Sequence, residues 1–196
     1  MGKFYAFLFK STYRLNNNLS NKNIATLTLL FVLSSFFNTF GQVIVPAANT
    51  NSGSINDPFG TFWGFERSAM IYTSAQIGTT GNITHVGFYV NSVSTPGNTV
   101  DVRIYMKMRT TTFTATSTYA TETTGATLVY GPTTITATSF TAGTWATVAL
   151  TTPFNYTGGT NNLEIIVETN ATGSGSGEGS TGKQFRYATQ ASNQFY

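Results

Sequence analysis

The sequence has no cysteine, so no disulfide holds it together and no thiol can carry a lipid anchor. It has one histidine, His85. Without a cysteine to join it, that residue makes a poor zinc ligand, and it reads as a surface side chain. Charge is scarce, with 9% of residues Asp, Glu, Lys or Arg. Lys3, Lys10, Arg14 and Lys22 all precede the apolar run at Ile24–Phe37. Beyond Gly41 six bases stand against seven acids, a net charge of −1. That is not the electrostatic footprint of a nucleic-acid binder, and no nucleic-acid partner is expected. Helical periodicity of useful length is also missing beyond Gly41, and no repeat points to a propeller or solenoid.

What is present begins with an export signal. A basic, Asn-rich start leads into the uncharged run Ile24–Phe37. Thr39 and Gly41 are the small residues at −3 and −1 of a cut before Gln42. The run is shorter than the roughly 20 residues that span a bilayer. Residues 1–41 therefore read as a signal peptide, with no membrane span after cleavage and an extracellular or cell-surface location. Residues 42–53 read as an N-terminal arm or first short strand, and 54–196 as one β-sandwich domain. A Cys-free domain of that size can bury roughly 70% of its unfolded surface and stand on its own core.

The pattern beyond Gly41 is that of an all-β protein. Val102, Ile104, Met106 and Met108 alternate with Asp101, Arg103, Tyr105, Lys107 and Arg109, which predicts a strand with one buried and one wet face. Ile83–Val90 predicts a second, with Val86, Phe88 and Val90 inward and His85, Gly87 and Tyr89 outward. Ser68–Thr73, Ala126–Tyr130, Thr133–Thr138 and Gln184–Ala188 read as strands, and Ser74–Gly78 as a single turn closing on glycine. Trp145–Glu168 holds two more around the breakers Pro153 and Gly158-Gly159, with Trp145, Thr147, Ala149 and with Glu164, Ile166, Glu168 on wet faces. The Thr-rich stretch Thr110–Gly125 reads as a loop crossing the sandwich, because β-branched Thr favours extended chain. About eight strands spaced by turns indicate an antiparallel β-sandwich or jelly roll.

Few motifs carry chemistry. Gly177–Lys183 has the G-x-x-x-x-G-K spacing of a phosphate loop. Gln184 stands where the Mg²⁺-binding hydroxyl belongs, and the following residues alternate like a strand rather than a helix. Glu164 and Glu168 are roughly 13 Å apart along one strand, too far for a glycosidase pair. Their wet face is expected to pair with Arg103 or Lys107 opposite. Asn56 and Asp57 offer oxygen donors of the kind that help hold calcium, but they are only two. No cofactor, metal or catalytic residue is expected. The rings Phe59, Phe62, Trp63 and Phe65 either plug one end of the sandwich or offer a binding surface. The candidate ligand-binding residues are Phe62 and Trp63 in that cluster, with outward Tyr89, Arg103 and Tyr105 as a second patch.

Several segments also resemble a known family. They are Arg103-Ile104-Tyr105-Met106-Lys107, Phe113–Tyr119 followed by Gly125–Tyr130, Thr152–Gly159 leading to Leu163-Glu164-Ile165, and Phe185-Arg186-Tyr187. In this order they resemble an N-terminal β-sandwich domain of large secreted proteins of Bacteroidota, which often carry a C-terminal sorting domain for type IX secretion. The resemblance spans roughly Ser54–Tyr196. It implies export and an adhesin or binding-module role, and transfers no catalytic residue. No sorting domain is present here, and the family's domain runs into one more strand past Tyr196, whose loss would leave an edge open. The expected function is a non-catalytic adhesion or carbohydrate-binding module whose partner is a glycan or surface protein. The alternatives are a subunit that self-associates through an open strand edge, and an accessory domain of a secreted hydrolase.

Overall fold

Alternating apolar runs separated by polar breakers become eight antiparallel strands in the computed structural model, which describes residues 41–45, 53–94, 97–170 and 182–188. The strands are β1 (Gly53–Ile55), β2 (Glu66–Tyr72), β3 (Gly81–Val93), β4 (Thr99–Arg109), β5 (Thr127–Ile135), β6 (Trp145–Tyr156), β7 (Asn162–Thr169) and β8 (Lys183–Tyr187). The segment before Gly41 read as a signal peptide, most of the Gly/Ser-rich stretch before Lys183 and the last residues after Ala188 lie outside the described residues. Among the described residues no helix is long and apolar enough to cross a membrane.

Four strands form one sheet in the order β1-β8-β3-β6, and four form another in the order β2-β7-β4-β5. The pairs β1·β8, β2·β7, β3·β6 and β4·β5 nest inside one another. The chain is thus one long hairpin rolled over on itself, which brings β8 against β3 and β7 against β4. This is the jelly-roll arrangement, and its core lies between the sheets. Val86 and Val90 of β3, Val102, Ile104 and Met106 of β4, Val148 of β6, Ile165 and Val167 of β7 and Phe185 of β8 all point into it.

Several expectations need correction. β1 falls inside the stretch read as arm and loop, and residues 41–45 form no strand. β5 runs unbroken through Gly131-Pro132, where two strands were expected. Gly131 takes φ +87°, and a Cβ there would sit 1.9 Å from the Val102 carbonyl oxygen. The glycine absorbs an irregular register with β4 rather than ending the strand. Met108, expected inward, is exposed at the end of β4. The two Trp145–Glu168 strands, β6 and β7, lie in different sheets, as consecutive strands of a jelly roll often do. Pro153 does not end β6, since an edge strand has a side that needs no N–H donor.

The largest correction concerns the outer face of β2-β7-β4-β5. Glu164 and Glu168, placed on a wet face by alternation, are 0% and 4% exposed. The segment from Thr110 to Ala126 folds back over that face. Phe113, Tyr119 and Ala126 pack on Ala69 and Ile71 of β2, Tyr105 of β4 and Ile166 of β7, forming a second, small core. The segment is not all loop. A short helix, α2 (Tyr119–Thr123), follows a first helical turn, α1 (Ser74–Ile77), which closes on Gly78 at φ +68° as expected.

α2 begins with a reciprocal cap. The Thr118 hydroxyl accepts from the Thr121 N–H at 3.2 Å, and the Thr121 hydroxyl accepts from the Thr118 N–H at 2.8 Å. Thr118→Ala is expected to lower stability by about 1 kcal/mol in urea unfolding. An unchanged midpoint would mean that the cap contributes nothing to seating this segment.

Candidate functional site

The two outer faces of the sandwich differ in charge because the acids are unevenly distributed. The strands β1, β8, β3 and β6 contain no Asp or Glu. The other sheet holds Glu66, Arg67, Asp101, Arg103, Lys107, Arg109, Glu164 and Glu168.

On the charged sheet the in-register pairs Arg103–Glu168 and Lys107–Glu164 bring opposite charges together, as expected for those residues. Glu168 Oε1 lies 2.9 Å from Arg67 Nε and its Oε2 3.2 Å from Arg103 Nη1, while Arg103 also holds Asp101 at 3.0 Å. Glu164 Oε2 meets Arg109 Nη1 at 2.9 Å and Lys107 Nζ at 3.4 Å. Glu122, brought over by α2, joins the same Arg109 Nη1 at 2.7 Å and Lys107 Nζ at 3.1 Å. Arg67 lies 4.6 Å from the Tyr119 ring centroid and Arg109 5.0 Å from that of Phe113, so the cations also clamp the covering segment. Burial, and then the Glu168 carboxylate, push the Tyr119 phenol well above its ordinary range. Burial raises the Glu164 carboxyl against the pull of Lys107 and Arg109. Glu122 and Glu164 are close through their shared arginine, but both are buried where the covering segment meets the sheet. There they pair with Lys107 and Arg109 rather than facing solvent. Arg103 and Tyr105 belong to this network, not to an open patch.

The opposite face is uncovered by any such segment among the described residues. There β3 lies between β6 and β8, and their register sets Tyr89 opposite Trp145 and Val90 opposite Phe185. Trp145, Tyr89 and Arg186 thus form a row across three neighbouring strands. The Tyr89 and Trp145 rings meet edge to face, with centroids 5.5 Å apart and planes at 88°. The Arg186 guanidinium lies 4.4 Å from the Tyr89 ring centroid, and its Nε donates to Asn91 Oδ1 at 3.3 Å. Tyr89 is fixed by donating its hydroxyl to the Gly143 carbonyl at 2.8 Å. Trp145 is 36% exposed, which leaves part of its ring to solvent. Gly87, two residues back on β3, keeps the sheet low beside it, since a Cβ there would lie 3.2 Å from Thr147 Oγ1 and 3.6 Å from the Trp145 ring. Towards β1, Ser54 and Ser92 both donate to Gln184 Oε1 at 3.1 Å, so the face continues as amides and hydroxyls. His85 is exposed on the same face, its Nδ1 3.0 Å from the Thr84 hydroxyl.

The aromatic loop between β1 and β2 divides its rings between the two expected roles. Phe59 is fully buried and contacts Phe88, Phe140 and Phe185. Phe62 and Trp63 form an edge-to-face pair with centroids 4.6 Å apart, and Trp63 is 80% exposed. The Glu66 carboxylate accepts from the Phe62 N–H and anchors this loop. Asp57 lies against Glu66, and burial, joined by the Asp57 charge, pushes the Glu66 carboxyl from 4.5 to about 7. Asn56 uses its side-chain amide to donate to the Lys183 carbonyl. Among the described residues no three His, Cys, Asp or Glu side chains converge as a metal-binding group.

Lys183, the lysine of the phosphate-loop spacing, opens a strand and turns inward. It is fully buried, with Nζ donating to the Gly97 carbonyl at 3.0 Å and the Phe140 ring centroid 5.0 Å away. A shallow depression of about 310 Å³ between α1 and Gly158-Gly159 has no titratable side chain in its lining.

Of the five candidate residues, Tyr89 alone lies on the open row. Phe62 and Trp63 sit on the loop, Tyr105 packs against the covering segment, and Arg103 is paired with Asp101 and Glu168. Trp145 and Arg186, the other two members of the row, are not among the five. Alternation does place Trp145 outward, but nothing in one sequence pairs it with Tyr89. Comparison with protein-family models, curated proteins and solved structures returned no match.

Proposed function

We propose that this chain is a non-catalytic, exported carbohydrate-binding or adhesion module whose binding face is the open sheet β1-β8-β3-β6. The observation that carries this reading is the row Trp145–Tyr89–Arg186. It is a fixed set of flat side chains on a rigid sheet, flanked by amides and hydroxyls. Sugar rings stack their C–H faces on such aromatics, and neighbouring amides meet their hydroxyls. The export signal and the resemblance to secreted Bacteroidota domains agree with a glycan met outside the cell.

Edge assembly is the weaker reading because each sheet edge is blunted. β1 has three residues, β6 carries Pro153, β5 carries Pro132, and β2 carries charged Glu66 and Arg67. β8, the last described strand, lies between β1 and β3 and is not an edge.

The test is affinity electrophoresis of the full chain on a panel of polysaccharides. Trp145→Ala is expected to weaken retention about tenfold, equivalent to about 1.4 kcal/mol, with an unchanged melting temperature. Retention that survives Trp145→Ala and fails with Trp63→Ala would move the site to the β1–β2 loop. Loss of the reading altogether would follow if the protein bound no polysaccharide.

A further inference from the structure

We infer that the open face takes an anionic polysaccharide, with a sugar ring on Trp145 and an acid group of the same chain on Arg186. This rests on the glycan-binding reading and adds the class of glycan.

Arg186 stands apart from the other cations. Arg67, Arg103, Lys107 and Arg109 each face a carboxylate within 3.4 Å, and Lys183 is sealed in the core. Among the described residues Arg186 is the one exposed Lys or Arg without an acidic partner. Its sheet contains no Asp or Glu to supply one. A cation without an acidic partner among the described residues attracts an anion from solution.

The guanidinium is also held ready. The Tyr89 ring beneath it and the Asn91 amide oxygen at Nε set its orientation. Nη1 and Nη2 remain to meet two oxygens of a planar acid group, the fork geometry that arginine offers and lysine does not. Holding the side chain in place beforehand removes part of the ordering cost of binding.

The remainder of the face selects a sugar over other anions. One cation is far from the multiple phosphate contacts that drive nucleic-acid binding. An acidic peptide would use Arg186 and leave Trp145 and the low ground at Gly87 unused. A uronate or sulfated sugar uses all three. A carboxylate and a sulfate ester share this chemistry, and the choice between them is left to experiment.

The full chain would be titrated by calorimetry with polygalacturonate, with heparin, with neutral xylan and with polyglutamate. Arg186→Gln and Trp145→Ala would be run beside it, each checked for an unchanged melting curve. The expected result is tightest binding to one of the two anionic glycans, weakened about tenfold by either substitution and weakened by added salt. Preference for polygalacturonate identifies the carboxylate, and preference for heparin the sulfate. Both support the inference. Equal affinity for xylan with no effect of Arg186→Gln overturns it and leaves the glycan reading intact. Binding to polyglutamate that equals the glycans and ignores Trp145→Ala overturns it in favour of an acidic peptide. Absence of binding to every glycan, or glycan binding that ignores Trp145→Ala, removes the underlying reading as well.

Discussion

Glu164→Ala is expected to destabilise the domain by about 3–5 kcal/mol, because removing one partner of a buried ion pair strands the others. Glu164 is fully buried on the central strand β7, with Lys107 and Arg109 of β4 against its Oε2. Without it these two largely buried cations have Glu122 as their one remaining acidic partner among the described residues. The measurement is the shift in urea midpoint at constant m-value. A second variant separates charge from packing. Replacing Lys107, Arg109, Glu122 and Glu164 together with apolar residues of similar volume should recover most of the loss, since paired desolvation costs vanish with the pairs. A cost below about 1 kcal/mol for Glu164→Ala would put this cluster in the range of surface ion pairs. It would mean that the covering segment opens in solution and that this face is available to ligands.

Glu66 is expected to lower stability by about 2 kcal/mol as pH rises from about 4.5 to about 7, and Glu66→Gln to remove that part of the fall, the raised carboxyls of Asp57 and Glu164 carrying the rest. The folded carboxyl of Glu66 is raised from 4.5 to about 7, by burial first and by the Asp57 charge, against the donors at Phe62 and Thr61. A raised carboxyl means that the folded state holds the proton more tightly than the unfolded chain. Its contribution is therefore full below 4.5, shrinks through the interval, and is lost above 7. A tenfold difference in proton affinity between the two states is worth about 1.4 kcal/mol, and the figure of about 2 kcal/mol allows for solvent screening of a partly exposed group. Glu122 acts on the other side. Burial opposes its ionisation, but the Ser117 hydroxyl, Lys107 and Arg109 outweigh it, so its carboxyl is depressed. That stability is present above 4.5 and lost as pH falls through the lower folded value. Denaturant midpoints across pH 4–8 decide the matter. A flat profile for the unmodified chain, or an unchanged one for Glu66→Gln, would show that the Asp57–Glu66 contact does not hold. Because Glu66 anchors the Phe62 N–H, the same titration reports on the Phe62–Trp63 pair.

The sequence by itself determined the class and most of the faces. Alternation at Asp101–Arg109 put Val102, Ile104 and Met106 inward, and that at Ile83–Val90 put Val86 and Val90 inward, because a strand's period of two admits no other arrangement once one side is apolar. Turn residues set the spacing, and Gly78 closed its turn as its left-handed φ requires. Alternation names two sides of a strand, however, and does not say what lies beyond either. The Ile166 between Glu164 and Glu168 was the single local hint that the second side would also be covered. Tertiary structure decided the rest. Phe113 and Tyr119 close over Ile166, Ala69 and Ile71, so that the charged sheet becomes interior. That burial is favourable because apolar area leaves water while each buried charge finds an opposite one. The other sheet has no acid to pair and no segment laid over it among the described residues. Its register, set by the rolled hairpin, aligns Trp145, Tyr89 and Arg186 from three strands distant in the chain. That alignment depends on long-range pairing, which no local pattern of residues encodes.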